Sequence, residues 1–98
     1  MAMIHHIVLV KFRDEIDALS RQEIWNELAK LSLVINGIES SAFGDNVSDE
    51  GFSRGYNDGF VMVFRDVSAR NAYLIHPAHQ AAGARLVAAL EGGLDGLL

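Results

Sequence analysis

The chain has 98 residues, half of them apolar, with nine glycines, one proline, no cysteine and a formal charge of −5. That length supports one domain and leaves little room for a second, and the composition excludes a disordered chain, a disulfide framework, a thiolate nucleophile and a cysteine-type zinc site. The eight Lys and Arg residues are scattered, so nucleic acid is not an expected partner. No apolar run reaches the roughly 18 residues of a membrane span, so no membrane is expected as a partner either. The first six residues, Met1-Ala2-Met3-Ile4-His5-His6, lack the cationic segment of a signal peptide, and a cytoplasmic location is expected. With glycine counted and tyrosine left out, the apolar share exceeds the roughly 45–50 % of ordinary domains. That surplus needs a place in the fold.

Residues 4–12 are short and rich in β-branched side chains, which predicts a strand. One of its faces carries Ile4, His6, Val8, Val10 and Phe12, and the other His5, Ile7, Leu9 and Lys11. A polar loop over 13–19 leads to a helix. Ser20 is its expected N-cap, with Glu23 completing a capping box. Ile24, Leu28, Leu31 and Ile35 recur at helical spacing beside Trp25, and Asn36-Gly37 stops the helix. A second strand is expected over 38–44, diluted by Ser40 and Ser41, followed by a polar loop over 45–57 with Gly51 and Gly55. Residues 58–65 predict a third strand, with Phe60, Met62 and Phe64 on one side and Val61 and Val63 on the other.

Asp66-Val67-Ser68 opens a second helical region with Ser68 as the expected N-cap. It carries Ala69, Ala72, Tyr73 and Ile75. Pro77 interrupts it, because proline disfavours helical geometry at His76 and suits the first turn of a new helix. That helix runs to about residue 91, where Gly92-Gly93 ends it, and residues 94–98 could begin a last strand. The order βαββα(β) is the ferredoxin-like α+β plan, a four-stranded antiparallel sheet with its helices on one face. The second sheet face should be polar if it meets water. Here it offers Ile7 and Leu9 with either Val61 and Val63 or Phe60 and Met62. The economical cover is a second copy of the same sheet, so the expected partner is the chain itself, as a homodimer joined through the sheet face.

Four histidines stand out. His5 and His6 are adjacent on a strand, so only one can face the helices. His76 and His79 bracket Pro77-Ala78. No HExxH pattern is present, and no metal is assigned. Gly51, Gly55 and Gly59 do not sit at a strand-to-helix turn, so they form no phosphate cradle. Ser20, Ser40 and Ser41 lack a nucleophile-elbow context. Tyr73, His76 and His79 crowd around the helix break. A phenol and an imidazole there could polarise a carbonyl and remove a proton beside it. The following helix is built of small residues, Ala78, Ala81, Ala82, Gly83 and Ala84, which let it pack closely on the sheet or leave room for a ligand.

The run Tyr73-Leu74-Ile75-His76-Pro77-Ala78-His79, together with His6-Ile7-Val8-Leu9-Val10-Lys11-Phe12, resembles the stress-responsive A/B barrel (Dabb) family. The likeness extends over about residues 5–91, so residues 1–98 read as a single such domain. The resemblance implies a ferredoxin-like protomer that pairs sheet to sheet into a dimeric α/β barrel. One plant member closes a linear polyketide by an intramolecular aldol reaction with no metal or organic cofactor, and the resemblance accordingly implies none here. It puts that enzyme's general base at His79, its catalytic tyrosine at Tyr73 and its pocket histidine at His6. Val8, Val10, Ile24, Trp25 and Leu28 would line the pocket, with His76 in support. Leu28 stands where that enzyme has a tyrosine, and the Ala-rich last helix replaces its aromatic wall. The first expectation is therefore a homodimeric family member of undetermined activity, a non-catalytic ligand-binding or stress protein. The alternative is a cofactor-independent cyclase- or lyase-type enzyme using the Tyr/His pair. In either case the ligand would be small and apolar or carbonyl-bearing.

Overall fold

The structure, a computed structural model, describes residues 3–45 and 58–98. Three strands, β1 (Ile4–Val10), β2 (Ile38–Asp45) and β3 (Asp58–Phe64), and three helices, α1 (Ala18–Ala29), α2 (Val67–Ile75) and α3 (Pro77–Ala88), follow the expected order. The strands form one antiparallel sheet in the order β1-β3-β2. His6 pairs with Met62, Ile7 with Val61 and Val8 with Phe60. This register sorts the two faces. Val8, Val10, Phe60, Met62 and Phe64 are buried against Trp25 and Leu28 of α1, Ala69 and Tyr73 of α2, and Ala82 and Leu86 of α3. Ile7 and Leu9 point the other way, beside Val61 and Val63. They stay 62 % and 40 % exposed. Of the two pairs the sequence left open, Val61 and Val63 belong to the uncovered face, because β3 places Phe60 and Met62 under the helices.

Both expected serine caps give way to aspartates. Asp17 caps α1, its Oδ1 accepting from the Ser20 N–H at 2.7 Å. Asp66 caps α2, accepting from the Ala69 N–H at 2.8 Å. A carboxylate at the helix N-terminus also meets the positive end of the helix dipole. At α1 the preceding loop is fixed as well: the Ile16 N–H bonds to the Arg13 carbonyl at 3.0 Å, and Arg21 Nε donates to the Ile16 carbonyl at 2.8 Å. Helical geometry therefore begins at Ala18, and Ser20 is already inside the first turn. A 3-10 turn over Lys30–Leu33 replaces the last part of the expected first helix, yet Leu31 and Ile35 still reach the core. Gly37 then reverses the chain with φ of 94°.

The break at Pro77 is where the sequence put it. His76 ends α2 and caps α3, its Nδ1 accepting from the Ala78 N–H at 3.0 Å. α3 ends at Ala88, three residues before the expected limit. β1 stops at Val10, and Phe12 continues it only as an isolated bridge to Leu90. The expected fourth strand is likewise reduced. Gly92 and Gly93 turn the chain with positive φ, and a 3-10 turn over Gly93–Gly96 returns it to the free edge of β1. There the Leu98 N–H bonds to the Leu9 carbonyl at 2.8 Å, and Val10 bridges Leu97. Among the described residues the sheet thus has three strands, flanked by a short antiparallel bridge beside β1. The polar loop expected over 45–57 lies outside the described residues beyond residue 45, and Gly51 and Gly55 with it.

Candidate functional site at the helix break

The alternation of β1 turns His6 inward and leaves His5 exposed. His6 is half-buried, its ring edge-on to Phe64 and to Tyr73 with centroids 6.1 Å away in each case. Tyr73 is held by α2 against Phe64 at 4.8 Å and is only 1 % exposed. Across the break, the first turn of α3 lays the His79 ring over Tyr73, with centroids 4.1 Å apart and planes 37° off parallel. Pro77 produces this contact. By ending α2 at Ile75 it brings the start of α3 back over the last turn of α2.

The break also frees a carbonyl. Helix ends leave carbonyls without intrahelical partners, and His79 Nδ1 lies 3.3 Å from that of Leu74. A carbonyl can only accept, so Nδ1 carries the proton and the lone pair of the neutral ring sits on Nε2. A Cβ added at Gly83 would lie 3.9 Å from Nε2 and, among the described residues, would meet no other side chain across the site within 4 Å. The missing side chain, one turn along α3, thus leaves open space beside that nitrogen. The Tyr73 hydroxyl has no hydrogen-bond partner among the described residues, and it keeps access to solvent. A solvent-touching phenol that no described protein group engages has its O–H free to donate to a ligand.

The electrostatics complement the geometry. Burial pushes the Tyr73 phenol up to about 12, so it stays protonated. Burial lowers the His79 pKa, and the Leu74 carbonyl opposes this while the nearby His76 adds to it. Burial also lowers the His6 pKa, helped by the charges of His79 and Arg70. At neutral pH the site therefore presents a phenol donor beside an uncharged imidazole acceptor. Among the described residues no group of three or more His, Cys, Asp or Glu side chains could hold a metal ion.

The expected pocket residues divide. Tyr73, His79 and His6 come together. His76 spends its Nδ1 as the α3 cap and acts on the site by fixing the break. Val10 and Leu28 are packed fully into the core, Val8 and Trp25 nearly so, and Ile24 packs against its edge. Trp25 belongs to an aromatic cluster with Phe12 at 5.3 Å and Phe60 at 5.8 Å. It also lines a groove of about 340 Å³ with Ile16, Ala18, Arg21 and Gln22, away from His79. Phe60 links the clusters, 6.4 Å from His6. The Leu74 carbonyl carries no signal in the sequence, where Phe64 stands only as a strand residue and Gly83 only among the small residues of the last helix. The register of β3 on β1 turns Phe64 inward, and the carbonyl and the glycine bear on the site through the turn that Pro77 makes.

An antiparallel sheet with helices on one face, and a phenol–imidazole pair at the helix break, define a ferredoxin-like α+β protein. The chain belongs to the Stress responsive A/B Barrel Domain family, whose model matches residues 4–92. It is 28 % identical over 76 residues to olivetolic acid cyclase of Cannabis sativa, covering 78 % of this chain and 75 % of the cyclase. It is 29 % identical over 76 residues to the stress-response A/B barrel domain-containing protein HS1 of Arabidopsis thaliana, covering 78 % and 70 %. A dimeric ferredoxin-like protein of unknown function from Jannaschia sp. CCS1 superposes with a TM-score of 0.88 at 36 % identity, covering 99 % of this chain and 94 % of that one. Among the described residues no helix is long and apolar enough to cross a membrane.

Proposed function

We propose that this chain, a single Dabb domain, acts as a homodimer closed sheet to sheet into an α/β barrel, and that its helix-break site binds a small carbonyl compound and moves a proton on it without a cofactor. The stacking of His79 on Tyr73 at 4.1 Å is the observation that carries the reading. His79 Nε2 takes a proton from the carbon beside the carbonyl. The electron pair of that C–H bond moves onto the carbonyl oxygen, and the Tyr73 hydroxyl donates to the oxygen as its charge grows. The relationship to a cyclase and to dimeric neighbours supports both halves. In the barrel, the Leu97–Leu98 pairing beside β1 extends as a fourth strand. Binding without turnover is the second reading. The closed packing of Val10 and Leu28, 0 % and 2 % exposed, favours it, because it removes the sheet–helix space a large substrate needs.

Hydrogen–deuterium exchange at the central carbon of pentane-2,4-dione, followed by NMR, tests the choice. The expected result is accelerated exchange that falls about a hundredfold or more in His79→Gln and in Tyr73→Phe. Binding of the dione with no accelerated exchange establishes the second reading instead. Absence of both binding and exchange removes the site proposal.

A further inference from the structure

We infer that Asn36 is a site of spontaneous backbone modification: the Gly37 amide closes on its side chain, and the succinimide opens to isoaspartate, loosening the turn that packs on α2. The inference is independent of the proton-transfer reading above.

Asn36 and Gly37 lie in the turn between the 3-10 segment Lys30–Leu33 and β2. Asn36 is exposed, and its side chain makes no hydrogen bond among the described residues. Among the same residues the Gly37 N–H has no partner either. The Gly37 carbonyl is held by the Arg65 N–H at 2.8 Å, which leaves the nitrogen at the other end of the residue unengaged. Glycine also has no Cβ to shield that nitrogen, and it holds a φ of 94° without penalty. No other asparagine of the chain precedes a glycine. Asn26 and Asn71 sit within α1 and α2, where their side chains accept from Gln22 at 2.9 Å and from Arg70 at 3.1 Å. The N–H groups that follow them, those of Glu27 and Ala72, are inside helices and bonded to the carbonyl four residues back. Attacking nitrogen and target carbon are thus both available at residue 36 and not at residues 26 and 71.

The Gly37 nitrogen loses its proton to solvent base and attacks Asn36 Cγ. The new N–Cγ bond forms, the Cγ–Nδ2 bond breaks, and Nδ2 leaves as ammonia with a proton from water. A second water then opens the five-membered ring at one of its two carbonyls. Opening at Cγ gives aspartate. Opening at the backbone carbonyl gives isoaspartate, whose main chain runs through Cβ and Cγ. Nothing is oxidised or reduced, and water is the only co-reactant. The product has one more carbon in the main chain and a carboxylate where the amide stood. The turn has little room for the added length. A Cβ at Gly37 would collide with the Ala69 Cβ, and Ala69 is buried one turn before Tyr73 on α2. Lengthening the chain at residue 36 therefore moves Gly37 off Ala69 or stretches its carbonyl bond to Arg65.

Incubation of the full chain in mildly alkaline buffer, with and without unfolding urea, tests this. Peptide mass spectrometry follows the gain of one mass unit at each asparagine, and labelling by an isoaspartate methyltransferase identifies the product. The folded protein is expected to convert Asn36 within about tenfold of the urea rate and to leave Asn26 and Asn71 unchanged. Conversion that required global unfolding would run about a thousandfold or more slower than in urea, following the unfolded fraction of a stable domain. Asn36→Gln should fold as the wild type does, by its urea midpoint, and lose the labelling. Converted protein, separated by its added negative charge, should unfold at lower urea than the unconverted protein. Conversion of Asn36 in the folded protein at only the unfolded-fraction rate overturns the inference. Labelling that survives in Asn36→Gln, or aspartate formed without isoaspartate, overturns it as well. Equal urea midpoints for converted and unconverted protein overturn the loosening of the turn on α2.

Discussion

His79 gets its acid–base character from one hydrogen bond and from where it is buried. The Leu74 carbonyl fixes the proton on Nδ1, and partial burial keeps the ring neutral. This has a consequence for stability. His6 and His79 both have folded pKa values below the usual 6.5, so between those values and 6.5 the unfolded chain binds more protons than the folded one. Their contribution is complete above about pH 6.5 and is lost as the pH falls through the folded values. Urea melts from pH 7.5 down to 5 should show falling stability, and a His6→Asn/His79→Gln double variant should show a flatter dependence. A wild-type profile with no slope in that window contradicts the burial of these rings. Tyr73 works in the opposite direction. With its pKa raised from 10.0 to about 12, its contribution holds below pH 10 and disappears as the pH rises through 12.

The helix break is the element on which the site depends. Pro77 made it legible in the sequence, because the ring forbids continuation of α2 and is preorganised for the start of α3. The caps were less legible. Ser20 and Ser68 each satisfy the local rule, and so do Asp17 and Asp66. Loop contacts, such as that of Arg21 with the Ile16 carbonyl, decide which residue stands at the boundary. Replacing Asp66 by Ala should cost about 1 kcal/mol in a denaturant melt, whereas Ser68→Ala should change stability by only a few tenths. Equal effects of the two would return the cap to Ser68. The lining residues fared differently again. Val10 and Leu28 belong to faces that the periodicity correctly turned inward, but periodicity does not tell a pocket wall from a closed core. How closely α1 and α3 approach the sheet settles that, and here the small residues of α3 let them close.

At the scale of the whole molecule, the open sheet face remains. Ile7 and Leu9 lie exposed beside Val61 and Val63 on the side with no helix. Apolar surface of this kind contributes about 25 cal/mol per Å² when removed from water. A stable homodimer buries on the order of 1,200–2,000 Å² in total. Placing a charge at its centre with Ile7→Lys should convert the dimer to a monomer in sedimentation experiments and leave the far-UV spectrum unchanged. A wild-type protein that sediments as a monomer, or an Ile7→Lys variant that stays dimeric, removes this face as the interface.

By itself the sequence determined the order of elements, the division of β1 and β3 into two apolar faces, the break at Pro77 and an apolar surplus. These depend on local sterics and on periodicity, which neighbouring residues carry. Only the tertiary structure decided that His79 lies on Tyr73, that the Leu74 carbonyl sets its tautomer, and that Val61 and Val63 share the open face. Each of these depends on two segments meeting at a particular distance. The turn at His76-Pro77 and the register of β1 on β3 fix that distance, and the pattern of side chains along the chain does not contain it.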